Sequence, residues 1–190
     1  MVLMKSALII VALGANVSSV CGNPQKTLEI ALKLINQRGF DVKSVSSWWR
    51  TPAFPTESGA DFVNAVASVS SDLAPADLLR TLHAVEIELG RTREKRWEPR
   101  ICDLDLIAYG ETIEPDIDEL KRLMALGLTA IDEPPPDLLV LPHPRMHERG
   151  FVLAPMAEIA PDWRHPALGK TTAEMLADLP PEHLEGMSRI

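Results

Sequence analysis

Two aspartates two residues apart, Asp103 and Asp105, lie inside the apolar run Ile101-Cys102-Asp103-Leu104-Asp105-Leu106-Ile107, directly after a segment crowded with arginines. In an extended strand alternate side chains share a face, so both carboxylates point the same way, about 7 Å apart. Aspartate is depleted in strands, and a carboxylate buried without a partner is costly. Two such carboxylates therefore suit a hard cation. They can hold one or two Mg2+, with phosphate oxygens completing the shell. The competing reading is an exposed edge strand whose carboxylates face water. Arg91, Arg93, Lys95, Arg96 and Arg100 add five cationic groups just upstream, in a chain whose formal net charge is −8. The planar guanidinium fork bonds two phosphate oxygens at once. Read alone the segment is a solvated charge run, partly balanced by Glu94 and Glu98; read beside the aspartates it suits a phosphorylated ligand.

Three further groups could take part. His143, Arg145, His147 and Arg149 form a second polar cluster, either a proline-rich surface turn or donors for a triphosphate. Phe62 and Asn64 share one face of an alternating strand; a ring for stacking and an amide for paired hydrogen bonds suit a flat heterocycle, although Phe62 alone reads as core. His83 and Glu86 lie three apart on a helix, which by itself reads as a surface pair. Trp48, Trp49 and Trp97 fit core or site equally. The sequence contains no Walker A or G-x-G-x-x-G loop, so arginines and metal must hold the phosphates of any nucleotide.

The elements that position these residues follow from periodicity. Ser6–Leu13 reads as a buried strand rather than a signal peptide, with Gly14 to Asn23 a loop. A helix starts at Asn23-Pro24 and stops at Gly39, its stripe being Leu28, Ala31, Leu32 and Ile35. Val42 to Trp49 reads as one strand, Thr51 to Gly59 as a loop. Phe62 to Val69 alternates, with Val63, Ala65, Ala67 and Val69 on one face. A second helix runs from Pro75 to Gly90 over Leu78, Leu82, Val85 and Leu89. Ile101–Tyr109 carries the aspartates, and Gly110-Glu111 reads as a hairpin turn into a short strand at Thr112–Glu114. The order β-α-β-β-α-β is a ferredoxin-like plan: an α+β fold with an antiparallel sheet covered by helices. Beyond it lies a C-terminal extension, with a short helix at Asp116–Gly127, a strand at Leu138–Leu141, and helices around Phe151–Ile159 and Thr172–Leu179.

The chain has 190 residues, 46% of them hydrophobic, which suits one domain spanning residues 1–190. The acidic balance argues against nucleic acid as a partner, and no stretch is long enough to span a bilayer. Two cysteines without metal spacing, Cys21 and Cys102, fit a reducing, cytoplasmic setting.

Taken together, Ala12–Asn16, Ser46–Pro52, Phe62-Val63-Asn64, Glu86 through Arg91, Arg96 through Ile107, Pro142–Arg145 and Arg149–Leu153 resemble the 6-hydroxymethyl-7,8-dihydropterin pyrophosphokinase family of the folate pathway. The resemblance runs from Leu8 to about Gly169. It implies transfer of pyrophosphate from ATP to the pterin hydroxymethyl group with release of AMP. It further implies that Asp103 and Asp105 bind two Mg2+ ions and that Arg91, Arg93 and Arg100 are catalytic arginines that contact the phosphates or move with the catalytic loop. Thr51, Pro52, Phe62, Asn64, Trp97 and Phe151 would then hold the pterin, while Glu86, Arg91, Arg100, His143 and Arg149 lie at the nucleotide. Three features depart from the family: Glu98 in the arginine loop, Phe62 in place of a tyrosine, and the stretch 116–137, which reads as an insertion. A non-catalytic pterin- or nucleotide-binding protein on the same fold is the other reading.

Overall fold

A computed structural model describes residues 7–53, 59–91, 100–126 and 139–190. Strand β1 (Ile9–Ala15) lies in the middle of an antiparallel sheet, between β4 (Phe62–Ser70) and the edge strand β5 (Asp103–Tyr109). On the other side of β4 stand β2 (Asp41–Val45), β3 (Trp49–Thr51) and then β6 (Ser188–Arg189). With β2 and β3 taken as one bent strand, the order is the ferredoxin-like plan expected from the sequence, with one extra strand at the β3 edge.

Helices α1 (Pro24–Asn36) and α2 (Pro75–Glu88) cover one face. Asn23 caps α1 through a 2.9 Å bond from the Lys26 N–H, and Pro24 occupies the first turn, as the dipeptide predicts. Leu28, Ala31 and Ile35 from α1 and Leu78, Leu82 and Val85 from α2 close a core over Val11, Leu13, Ala67, Val69, Leu104 and Leu106. The opposite face is also buried, under α4 (Gly150–Ile159) and α5 (Thr172–Ala177), where Val152, Leu153, Met156 and Met175 pack on Ile10, Val66 and Ile107. Helix α3 (Ile117–Leu126) makes a satellite cluster through Leu120 and Leu123 with Val140. No described helix is long and apolar enough to cross a membrane.

Several boundaries differ from the sequence reading. Val42–Trp49 is not one strand: the chain bends at Ser46, whose hydroxyl accepts the Val66 N–H at 3.0 Å and substitutes for the ladder bond. Thr112–Glu114 is not a hairpin partner of β5, because Gly110 turns the chain away and Glu114 bridges Leu141 instead. Strand β1 runs two residues past Leu13, so Gly14 lies inside the sheet and not in a loop. Residues 127–137 of the expected insertion lie outside the described residues.

The second core contains a buried titratable group. His165 is fully buried, and its Nδ1 accepts the N–H groups of Ala167 and Leu168 at 3.2 and 3.3 Å. Burial, with a smaller contribution from His147, pushes its pKa down to about 4. The folded state thus binds fewer protons than the unfolded chain between an unfolded value of about 6.5 and the folded value, so stability falls as pH drops through that window. The loss is on the order of 3 kcal/mol when the window has been crossed. His165→Asn keeps an acceptor near the Nδ1 position and removes the titration. Its melting temperature should vary less between pH 6.5 and 4 than that of the wild type; parallel curves would remove His165 as the source.

Candidate active site

The sheet register brings the chemistry-bearing residues together. Gly14 of β1 pairs with Asp103 of β5 on one side and Asn64 of β4 on the other, and Asn64 in turn pairs with Trp49 of β3. Asp103, Gly14, Asn64 and Trp49 therefore form one row across four strands. Ala12 pairs with Asp105 and Val66 in the same way. Leu104 and Leu106 face the α1/α2 core, so Asp103 and Asp105 face the α4 side, as do Phe62, Asn64 and Val66 by alternation. At a strand spacing of about 4.8 Å, Asp103 and Asn64 stand roughly 10 Å apart.

Gly14 keeps the floor between them low. A Cβ there would lie 2.8 Å from Asn64 Oδ1. Its role is space and not backbone freedom, since it sits in ordinary strand geometry within β1. Periodicity assigns Gly14 to a loop, and only the resemblance motif points to it. Gly14→Ala should weaken binding of a flat ligand on this row by roughly tenfold, the amide being forced off its position, while the melting temperature moves by a few degrees at most. Unchanged ligand affinity would show that Gly14 does not set the floor.

On the carboxylate side, Arg91 bridges Glu86 and Asp103, at 2.5 Å from the latter, and Arg100 pairs with the second oxygen of Asp103. Glu86 is 1% exposed, contrary to its reading as half of a surface pair. Its Oε1 accepts the Leu104 N–H at 2.8 Å, the outward-facing donor of an edge strand. α2 thus covers the exposed edge of β5 with a carboxylate. Burial opposes the Arg91 charge, but Asp103 and Glu86 outweigh it and raise its pKa. Asp105 is more open, with 39% of its side chain exposed and Arg149 at 3.7 Å.

His143 and Arg149 meet beside Asp105. The Arg145 N–H donates to His143 Nδ1 at 3.1 Å, which leaves the ring hydrogen on Nε2. That Nε2 lies 3.4 Å from an Arg149 guanidinium nitrogen. Two donors cannot bond each other, and an anionic oxygen within reach of both would satisfy them. Burial first, and then the Arg149 charge, push His143 well below its ordinary pKa, so it is a neutral donor at pH 7. Burial also lowers Arg149, against the opposing pull of Asp105. His147 does not join this cluster: its Nε2 lies 3.8 Å from Glu148 Oε1, and its ring meets His165 edge-on.

On the Asn64 side, the amide donates to Thr51 Oγ1 at 2.7 Å, and Thr51 pairs with Phe62 across β3 and β4. Pro52 follows, exposed, at the end of β3. Phe151 stands in the first turn of α4, 37% exposed, with the Arg149 guanidinium 5.5 Å above its ring. Arg93, Trp97 and Glu98 lie outside the described residues.

Asn16 is a second residue the sequence reading did not single out. Its Oδ1 accepts the Arg100 N–H at 2.7 Å, its own N–H donates to the Arg100 carbonyl at 2.9 Å, and its amide reaches Ala60 O at 3.3 Å. It fixes the backbone from which Arg100 reaches Asp103. Its signal in the sequence is a polar amide directly after the apolar run that forms β1.

The two carboxylates and the cationic groups around them have the chemistry of a hard cation seat shared with phosphate: oxygen donors too few to close a shell, flanked by Arg91, Arg100, Arg149 and His143. Comparisons with known proteins give the family. A family model for 7,8-dihydro-6-hydroxymethylpterin-pyrophosphokinase matches residues 10–161. The 2-amino-4-hydroxy-6-hydroxymethyldihydropteridine pyrophosphokinase of Synechocystis sp. is 38% identical over 168 residues, covering 88% of this chain and 73% of that protein. Its counterpart in Pseudomonas aeruginosa is 35% identical over 175 residues, covering 92% and 93%. Among solved structures, wild-type HPPK-DHPS of Plasmodium falciparum aligns with a TM-score of 0.63 at 14% identity. That match covers 91% of this chain but 44% of the longer Plasmodium chain, and it carries the fold alone. With the family model spanning most of the chain and curated relatives above 30% identity along nearly all of it, the chain belongs to the 7,8-dihydro-6-hydroxymethylpterin-pyrophosphokinase family.

Proposed function

We propose that this chain, as one domain, transfers pyrophosphate from ATP to 6-hydroxymethyl-7,8-dihydropterin, giving the pterin diphosphate and AMP in folate biosynthesis. The observation that carries the reading is the row Asp103–Gly14–Asn64: a phosphate-side carboxylate and a heterocycle-reading amide, two strands apart, over a floor without side chains. That span suits a fused two-ring ligand whose one-carbon arm points toward Asp103.

Asp103 and Asp105 would hold Mg2+, two ions in this reading, which when bound would neutralise phosphate charge. Arg91 and Arg100 would turn to the phosphates and stabilise charge on the bridging and leaving oxygens. Arg93, from the same segment, is assigned the same task. His143 and Arg149 would clamp one phosphate between their two donors. Glu86 acts through Arg91 and the β5 edge, setting where both meet the nucleotide. Asn64, oriented by Thr51, would read the polar edge of the pterin, with Phe62, Phe151 and Trp97 against its faces and Pro52 at the rim. Holding both substrates in line converts a two-body encounter into a positioned transfer. The reaction belongs to a reducing, cytoplasmic compartment, in keeping with two free thiols. Burial pushes the Cys102 pKa up and leaves that thiol inert.

The assay is direct: purified protein, Mg2+, ATP and the pterin, with AMP measured. Pterin-dependent AMP supports the proposal. Pterin and nucleotide binding without AMP supports the non-catalytic binding protein instead, and absence of binding overturns both.

A further inference from the structure

Residues 183–190 touch the rest of the molecule at several places, His183 Nδ1 lying 2.8 Å from Glu148 O among them, and three of these contacts adjoin a residue assigned to the pterin. His183 O and Leu184 press on Gly150, where a Cβ would lie 2.2 and 2.9 Å from them; Phe151 is the next residue. Gly186, at φ +72°, lies against Pro52, its own Cβ position 2.7 Å from Pro52 Cγ; Thr51 is the preceding residue. Arg189 pairs with Trp49 through β6, and Trp49 is the register partner of Asn64.

The last contact is a built node. The Arg189 guanidinium lies 5.2 Å over the Trp49 ring, and its Nε is 2.9 Å from Glu158 Oε1 on α4. The same carboxylate accepts the Trp49 indole N–H at 3.0 Å and, through Oε2, the Ser47 N–H at 2.8 Å. Beyond the node, the Ile190 N–H donates to Trp48 O at 3.0 Å. β3 has only three residues and would be an unprotected edge strand without β6. None of the contacts described for these residues involves Asp103, Asp105, Glu86 or His143.

We infer that residues 183–190 form a positioning strap for the pterin half of the site, with Arg189 and Gly186 as its positioning residues. The strap holds β3, which carries Thr51, against α4, which carries Phe151, and so fixes the gap between the two walls that must close on a flat ring. Loss of the Arg189 and Gly186 contacts costs pterin affinity through wall placement, while Asp103 and Asp105 on β5, and Arg91 just after α2, are left in place. The inference rests on the pterin reading given above.

The test uses the full chain and its variants Arg189→Ala, Gly186→Ala and Arg189→Lys. Dissociation constants are measured separately for the pterin, with saturating α,β-methylene-ATP and Mg2+, and for that analogue alone; melting temperature is recorded for each. Arg189→Ala and Gly186→Ala should weaken the pterin roughly fivefold or more and the nucleotide less than twofold. Arg189→Lys, which keeps a cation over Trp49, should recover part of the loss. Pterin affinity within twofold of wild type in both variants overturns the strap. So does an equal loss for both ligands alongside a lowered melting temperature, because that is general destabilisation. A wild type that binds no pterin overturns the functional proposal itself, whereas a wild type that binds with variants unchanged overturns the strap alone.

Discussion

Asp105→Ala is expected to lower the rate of pterin-dependent AMP formation by roughly three orders of magnitude or more, with almost no change in stability. Its side chain is 39% exposed and its Arg149 contact is 3.7 Å long; an ion pair of that kind contributes about 1 kcal/mol or less. The carboxylate is therefore not retained for the fold. Asp103→Ala should abolish turnover to the same degree, but with a measurable cost in stability. Asp103 bonds both Arg91 and Arg100, and its side chain is only 15% exposed. Removing it takes that partner from Arg100 and leaves Arg91, among the described residues, paired with Glu86. Turnover by initial rates and melting by calorimetry separate the two effects. If either variant turned over like the wild type, the cation seat would not be on β5. If both destabilised equally, the difference in burial described above would have no energetic meaning.

Glu86→Ala should be the most destabilising single change at the site. The carboxylate is 1% exposed, accepts the Leu104 N–H at 2.8 Å, and pairs with Arg91. Truncation leaves the buried Leu104 N–H without this acceptor and takes from the Arg91 guanidinium one of its two ion-pair partners among the described residues. Breaking a buried pair on one side costs about 3–5 kcal/mol, which in a chain of this size lowers the melting temperature by roughly 10 °C. Glu86→Gln keeps an acceptor for Leu104 and loses only the charge, so its melting temperature should fall between the two. Turnover should drop in both, because Arg91 is no longer held between two carboxylates. A Glu86→Ala protein melting within two degrees of wild type would show that the edge of β5 finds its hydrogen bond elsewhere.

The fold was legible where a local signal and a tertiary need coincide. Asn23-Pro24 caps and starts α1, and alternation in Phe62–Val69 makes β4, because each signal acts within a few residues. The hairpin expected after Gly110 was not formed. A glycine turn says that the chain reverses, but not which strand it meets, and here Glu114 found Leu141. Val42–Trp49 broke at Ser46 because that hydroxyl could reach the Val66 N–H, a partner twenty residues away. Both faces of the sheet are buried, so Phe62 and Asn64 lie on the side of a second core and not opposite the only one.

The sequence alone determined the chemical inventory: two carboxylates sharing a strand face, arginines beside them, and an amide and an aromatic ring on another strand. These follow from residue type and from the two-residue period of an extended chain, which needs no partner to be read. Only the tertiary structure decided how the inventory is arranged. Cross-strand register set Asp103 and Asn64 in one row over Gly14, burial made Glu86 an interior carboxylate, and the return of the chain end put Arg189 on Trp49. The physical reason is that register, burial and edge pairing are properties of segments far apart in the chain, fixed by cores that form only once the sheet is assembled.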